Sequence, residues 1–267
     1  MRGGIVTAMT DFTDDDLSGS RLERVDLSGS RFEQVDFSQS WGRNVYFQDV
    51  VLRGAWLQRV DIDGAIDALT INGVDVGPLI EAELDRRDPD RVLVRPTDAD
   101  GFRAAWEVIE RRWEPTIAHV RTLPPELLDE RVDDEWSFLE TLRHLVFCID
   151  AWVSRAVLGQ PAPWSPLGLA HDEMSPDTPL PLDHDAHPSL DEVLALRADR
   201  MATVKRVLDE LTDEQLASTT EPVLEPGYPE SQAFPVARCL GAVINEEWLH
   251  RQYAERDLAV LEARTVS

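Results

Sequence analysis

The sequence predicts a multidomain β + α chain in which a short N-terminal β-solenoid precedes a four-helix bundle. Two observations lead to this prediction. Apolar residues recur every five positions through most of the first seventy residues, a period that fits neither an amphipathic helix nor a simple strand. From Asp98 onward the apolar spacing changes to three and four residues, and cap and turn signals divide that part into four long segments.

The five-residue period runs from Leu17 to Ile62. Its large members are Leu17, Leu22, Leu27, Phe32 and Phe37 and, after Gly42, Phe47, Leu52, Leu57 and Ile62. From Leu22 onward a Ser, Val or Ala precedes each of them by two positions. This pattern predicts a square coil with one short face per repeat. The large and small side chains would share its interior, and each coil would be covered by the next.

The segment resembles the pentapeptide-repeat family, whose motif reads A-(D/N)-L-x-x, over roughly residues 15–66. The resemblance implies a right-handed quadrilateral β-solenoid, which we assign to residues 1–70. Gly42 departs from the motif because it has no side chain to fill the interior. Some acidic members of the family mimic DNA and bind gyrase. We favour a packing or dimerisation platform, and hence a homodimer, because so few repeats form only a short coil.

Charge and cysteine content limit the classes of partner. The chain has 51 acidic and 26 basic residues, a formal charge of −25, which predicts no nucleic-acid and no membrane partner. Cys148 and Cys239 are too few for a disulfide framework or a zinc knuckle. Met1 to Thr10 lack the apolar core of a signal peptide, and no run of about 18 apolar residues occurs. We therefore predict a cytoplasmic protein.

The helical part follows a connector over residues 71–96, in which a short helix is predicted at 79–87. The bundle is assigned to residues 97–267, with helices at 99–121, 137–158, 189–211 and 235–263. Ser137 with Glu140, and Ser189 with Glu192, have the spacing of capping boxes. The proline-rich residues 160–188 are predicted to form a long surface loop, either mobile or a functional lid.

Three side chains in this bundle are candidate metal ligands. His144 lies among apolar residues of the second helix, and Glu246 and His250 are four residues apart on the fourth, hence on one face. Three nitrogen and oxygen ligands with an open fourth position are typical of catalytic zinc. From spacing alone two simpler interpretations stay open: a solvent-facing ion pair of Glu246 with His250, and a core histidine at position 144.

Two segments carry a resemblance to the DinB-like superfamily, which covers roughly residues 97–263. Val132 to Leu145 reads VDDEWSFLETLRHL and is similar to the second helix of that family, where a histidine at the position of His144 is a metal ligand. Val243 to Arg251 reads VINEEWLHR and is similar to the fourth helix, which supplies two more ligands four residues apart. Many members have three histidines. The His-Glu-His set here is similar to the zinc ligands of mycothiol-dependent maleylpyruvate isomerase.

The resemblance implies thiol chemistry. Characterised members are similar to S-transferases or isomerases that use mycothiol or bacillithiol, with a divalent metal, expected to be zinc, holding the thiol. This implies a small-molecule thiol and an electrophilic substrate as partners. The alternative hypothesis is a non-enzymatic binding protein, with the solenoid as the partner surface and the bundle as a scaffold or small-molecule sensor.

Further residues are candidates on position alone. Cys148, one turn beyond His144, is expected to be a small core residue. Glu247 is expected to face solvent, and His119 to be partly exposed. Arg251 is a candidate to bind a cofactor carboxylate, although an ion pair within this acidic protein is the simpler expectation. Arg143 has the same two alternatives, a cofactor contact or an ion pair. For Trp136, Trp152 and Trp248 the alternatives are the lining of a substrate pocket and a place in the core. For His171, His184 and His187 they are weak metal binding and exposure to solvent.

Overall fold

The computed structural model describes residues 11–172, 174–175 and 178–265, so residues 1–10 of the predicted repeat domain lie outside it. The chain divides into two compact units, one ending at Asp63 and the other beginning at Gly64. The predicted boundaries at residues 70 and 96 stay a prediction. None of the described helices is long and apolar enough to cross a membrane.

The backbone of the first unit has a five-residue period. A residue with positive φ follows each position of the predicted series by two, from Gly19 to Gly64, and Asp14 extends the same spacing by one repeat. These residues are Asp14, Gly19, Arg24, Gly29, Gln34, Gln39, Asn44, Asp49, Gly54, Arg59 and Gly64. Gly42 keeps the register although it lacks a large side chain, because Asn44 has φ of 51° like its equivalents. The five-residue spacing therefore reflects a repeated turn.

The large side chains of this unit are not packed inside a coil. Leu17 is 51% exposed, Leu27 47% and Phe47 77%, and residues 11–63 contain no β-strand. Turns instead close through hydrogen bonds such as the one from Ser30 N to the Leu27 carbonyl. The repeat is thus present in the backbone, whereas a solenoid with a filled interior stays a prediction.

The second unit begins with a hairpin and two short helices. Strands β1 (Thr70–Ile71) and β2 (Val74–Asp75) pair antiparallel around Asn72 and Gly73, which both have positive φ, as a tight hairpin turn requires. Helices α1 (Gly77–Arg87) and α2 (Asp90–Leu93) follow. The predicted connector helix is present and begins two residues earlier than expected.

Four long helical segments form the rest, close to the predicted bounds. They are α3 (Ala99–Val120), α4 (Phe138–Ile149) continued by a π-helix (Asp150–Val157), α5 (Leu190–Glu210) and α7 (Val236–Thr265), with a 3₁₀ turn at Pro125–Leu128 and a short α6 (Asp213–Leu216). Both predicted capping boxes form, at Ser137 and at Ser189. Buried side chains from all four segments make one core that includes Trp106, Leu142, Leu208 and Ile244.

The loop between the π-helix and α5 packs against α4 around residues 164–170, although other parts of it are exposed. Trp164, Leu169 and Ala170 are buried, and Trp164 and Ala170 form a second apolar cluster with Phe147 and Cys148 of α4. The many prolines concealed this in the sequence, since they break regular structure without deciding whether a loop is exposed.

Candidate metal centre

The three candidate ligands converge where α4 meets α7. His144 faces inward from α4, and Glu246 and His250 lie one turn apart on α7. Glu246 Oε2 is 2.9 Å from His250 Nε2 and 3.5 Å from His144 Nε2. One ligand atom from each residue lies within 4.8 Å of the other two. Two imidazole nitrogens and a carboxylate oxygen are donors that zinc accepts, so the residues fit a divalent ion.

Burial favours the neutral form of His144, a candidate ligand. It is 4% exposed, and burial lowers the pKa of its imidazole against the opposing effect of Glu246. Its Nδ1–H donates to the Leu169 carbonyl at 3.0 Å, in the tautomer that this acceptor requires. The lone pair of the neutral ring is therefore on Nε2, the atom that faces Glu246.

Glu246 supplies the negative charge. Burial raises the pKa of its carboxyl, but the neighbouring imidazoles of His144 and His250 outweigh burial and lower the pKa to about 2. The side chain stays 32% exposed and that of His250 19%, whereas that of His144 is 5% exposed. The group is thus closed on the α4 side and accessible to solvent from α7.

Cys148 lies beside the group. Its Sγ is 3.2 Å from His144 Nε2, so the thiol can donate to the histidine lone pair. Burial raises the pKa of this thiol well above its usual range, and the negative charges of Glu246 and Glu247 add to the effect. Cys148 is therefore both the predicted core residue and a neighbour of the candidate ligands.

Aromatic rings cover the imidazoles. Trp136 packs on His144 with ring centroids 4.4 Å apart and stacks on His250 at 5.6 Å. Tyr253 meets His250 edge-on at 5.8 Å. Among the three predicted tryptophans only Trp136 contacts the ligands: Trp152 packs between the apolar clusters, and Trp248 is buried in the core, where Arg112 and Arg251 stack on it.

Tyr228 and Phe147, near the group, were not among the candidates of the sequence analysis, whereas their neighbour His171 was. Tyr228 stacks on Phe147 at 5.7 Å, and His171 meets Tyr228 edge-on at 5.2 Å. Phe147 in turn lies 6.2 Å from the His144 ring. Burial raises the pKa of the Tyr228 phenol, and the negative charge of Glu246 adds to the effect. Tyr228 belongs to an irregular segment without hydrophobic periodicity, so no pattern in the sequence indicated its position.

The prediction that Glu247 faces solvent is wrong. Glu247 is fully buried and accepts from the guanidinium of Arg197, which stacks on Trp113 at 4.5 Å. Adjacent positions on a helix point about 100° apart, so a residue beside a partly exposed ligand can face the interior. Burial raises the pKa of this carboxyl despite the arginine.

The remaining candidates lie apart from the group. Arg251 is buried, donates to Glu255 at 2.5 Å and stacks on Trp248, the ion pairing that was the simpler expectation. His187 is largely exposed and contacts Asp129 at 3.3 Å, and His119 is half-exposed beside Glu262. Among the described residues, no acidic or histidine cluster other than His144, Glu246 and His250 could hold a metal.

Comparisons with known proteins match a family to each of the two parts of the chain. The model of the DinB superfamily matches residues 109–254, which is more than half of the sequence. Pentapeptide repeats match residues 10–40 in eight copies. No curated protein and no solved structure matches the chain.

Proposed function

The chain belongs to the DinB superfamily and carries N-terminal pentapeptide repeats, and from its His-Glu-His group we propose that it is a metal-dependent thiol S-transferase or isomerase. The metal is zinc, the thiol is a low-molecular-weight thiol such as mycothiol, and the second substrate is an electrophile. The observation that carries the proposal is the convergence of His144, Glu246 and His250 on one point. The protein would act in the cytoplasm.

The donor set supports a catalytic centre more than a structural one. Structural zinc sites are closed by four protein ligands, whereas catalytic sites have three and keep one position open. Here three side chains converge, and Glu246 and His250 remain partly accessible. A small thiol therefore has a route to the group from the α7 side.

Each residue of the group would have a separate role in the reaction. A divalent ion held here would lower the pKa of an incoming thiol, so that the thiolate, the actual nucleophile, dominates at neutral pH. Glu246 would offset part of the positive charge, and His144, whose Nδ1–H donates to the Leu169 carbonyl, would offer the Nε2 lone pair of its neutral form. Trp136 covers both imidazoles and shields that side of the group from water.

Metal content and activity of His144→Ala test the proposal. Protein purified without chelator should contain one equivalent of zinc and conjugate mycothiol to an activated aryl chloride. His144→Ala should lose the zinc and lower the rate more than about 100-fold, beyond the effect expected for an outer partner of a ligand. His119→Ala is the matched control, because His119 is half-exposed and far in sequence from the group. Wild-type protein without metal, or an active metal-free His144→Ala, refutes the proposal.

Cys148→Ala separates an open site from a closed one. The Cys148 thiol is 3.2 Å from His144 Nε2. The main competing arrangement is therefore a site in which Cys148 is a fourth protein ligand. The proposal expects Cys148→Ala to retain zinc and most of the activity. Loss of zinc in this variant would indicate a closed, structural site and would contradict the enzymatic function.

Exposed apolar side chains of the repeat unit favour a second function, that of an interaction surface. Trp56 is 89% exposed, and Leu52 and Phe47 are 65% and 77% exposed. Contiguous exposed apolar surface is typical of contact sites between proteins. We propose that this unit pairs two copies of the chain. Light scattering should give a dimer for the full chain and a monomer for residues 64–267; a monomeric full chain would contradict the pairing.

A further inference from the structure

The ring of His144 touches a segment of chain that sequence reasoning treated as a mobile loop or lid. The carbonyl that accepts from His144 Nδ1 belongs to Leu169, within residues 158–189. The backbone N–H of Leu169 donates in return to the carbonyl of Arg143, at 3.2 Å. This segment is therefore joined to the residue preceding the ligand as well as to the ligand itself.

The side chain of Arg143 also binds this segment. The arginine is 3% exposed, and its guanidinium donates to three carbonyls: Nε to Leu167 at 2.9 Å, Nη1 to Ala186 at 2.7 Å and Nη2 to Asp183 at 2.6 Å. Leu167 is two residues from Leu169, and the other two acceptors lie near the start of α5. One side chain thus fixes both sides of the loop.

The position of the Leu169 carbonyl decides which nitrogen of His144 carries the proton. A neutral imidazole has one donor and one acceptor nitrogen, and an acceptor facing Nδ1 places the lone pair on Nε2. Without that acceptor both tautomers are accessible, and the ring loses a contact that sets its orientation. Only the Nε2 lone pair faces Glu246.

We propose that Arg143 is a positioning residue of the metal centre, acting through the Leu169 carbonyl on the tautomer and orientation of His144. This inference rests on the proposed metal site and adds the loop backbone at residues 167–169 and 183–186 to it as its outer part. Partners of this kind typically change metal affinity about 10- to 100-fold. The metal and the order of this segment are then coupled, so each stabilises the other.

Arg155 provides a matched control. It is 1% exposed, lies twelve residues further along the same helical segment and also donates to loop carbonyls, including those of Pro161 at 2.7 Å and Glu225 at 2.5 Å. Among the described residues it donates to backbone carbonyls and stacks on Trp164, and none of these partners is a candidate ligand. We therefore expect Arg155→Met to destabilise the fold much as Arg143→Met does, but without an effect on His144.

The test compares the two variants in the full chain by two readouts. Co²⁺ affinity, measured in competition with a chelator, should fall about 10- to 100-fold in Arg143→Met and stay at the wild-type value in Arg155→Met. Histidine ¹⁵N NMR of the metal-free protein should show His144 protonated on Nδ1 in wild type and Arg155→Met, but a mixture of tautomers in Arg143→Met. Should Arg143→Met fail to fold, Arg143→Lys, which keeps the charge and reaches fewer carbonyls, should show an intermediate loss.

The outcomes separate this inference from the proposed function. Wild-type Co²⁺ affinity and an unchanged His144 tautomer in the Arg143 variants would overturn the positioning role while leaving the metal site intact. Equal losses of affinity in Arg143→Met and Arg155→Met would also overturn it, because the effect would then be general destabilisation. A wild-type protein that binds no Co²⁺ refutes the metal site itself, and the inference with it.

Discussion

The repeat unit and the helical unit both space their apolar residues regularly, but the two units bury them to different degrees. Leu27, in the five-residue series, is 47% exposed, whereas Leu142, in a helical stripe, is fully buried. A helix is complete in its own hydrogen bonds and needs only neighbouring helices to cover one face. A repeat coil must be covered by other coils, and a short array leaves much of its surface at its ends.

The difference shows that a sequence period specifies local backbone before it specifies a core. Every fifth residue of the first unit turns with positive φ, as its period requires. In the second unit, the helical spacing is joined by long-range contacts such as the buried pair of Arg197 and Glu247. Stability should therefore reside mainly in the helical unit, and substitutions of equal chemistry should have unequal effects in the two units.

Breaking one ion pair in each unit should give the largest contrast. Arg197→Met leaves Glu247 buried without its partner and should lower the free energy of unfolding by about 3–5 kcal/mol. Arg31→Met removes a pair with Glu33 whose side chains are 85% and 70% exposed, and should cause no measurable change. Urea unfolding measures both. Equal effects would contradict the assignment of stability to the helical unit.

Shortening one leucine in each unit should sharpen the comparison. Leu142→Ala opens a cavity in a packed core and should cost about 3 kcal/mol in unfolding free energy. Leu27→Ala should change the stability of its own unit by less than about 0.5 kcal/mol, as for most surface positions. Limited proteolysis of the repeat unit and thermal unfolding of the helical unit report the two effects. A large loss in Leu27→Ala would show that the repeats pack into a filled solenoid in solution.

A smaller effect is expected at the helix cap of α5. Ser189 Oγ accepts from the Glu192 N–H, and Glu192 accepts in return from the Ser189 N–H at 2.8 Å. Ser189→Ala should lower the unfolding free energy by about 1 kcal/mol, measured by thermal unfolding. Ser218→Ala, outside any helix N-terminus, is the control and should be near neutral; a similar loss there would argue against the cap as the cause.

The smallest effect concerns the pH response of the repeat turns. Hydrogen bonds from Ser28 lower the pKa of the Asp26 carboxyl, and those from Ser18 and Ser38 do the same for Asp16 and Asp36. A lowered folded pKa means that the turn is stabilised above the unfolded value of about 3.9 and loses this support as pH falls through the folded value. Carboxyl ¹³C NMR should show Asp26 titrating below its usual range. Ser28→Ala removes the hydroxyl but keeps the backbone N–H that donates to Asp26 at 2.8 Å, so the pKa of Asp26 should rise part of the way to its ordinary value. An unchanged titration would contradict the turn.

The sequence allowed prediction of the elements defined by local chemistry. The capping box at Ser137, the bounds of α3 and the grouping of His144, Glu246 and His250 all depend on spacing within a helix or on the family resemblance. What depends on distant contacts was not predictable: the burial of Glu247 beside Arg197, and the packing of residues 164–170 on α4. Tyr228 escaped for the same reason, since only tertiary structure brings it beside Phe147.

Crystals of the full chain grown with zinc would test the central claim most directly, by anomalous scattering at the zinc edge. The account predicts one zinc ion bound by His144 Nε2, Glu246 and His250 Nε2 at about 2.0–2.2 Å, with a fourth position not taken by the protein. Zinc bound elsewhere only, or zinc at this point with Cys148 as a fourth ligand, would contradict it.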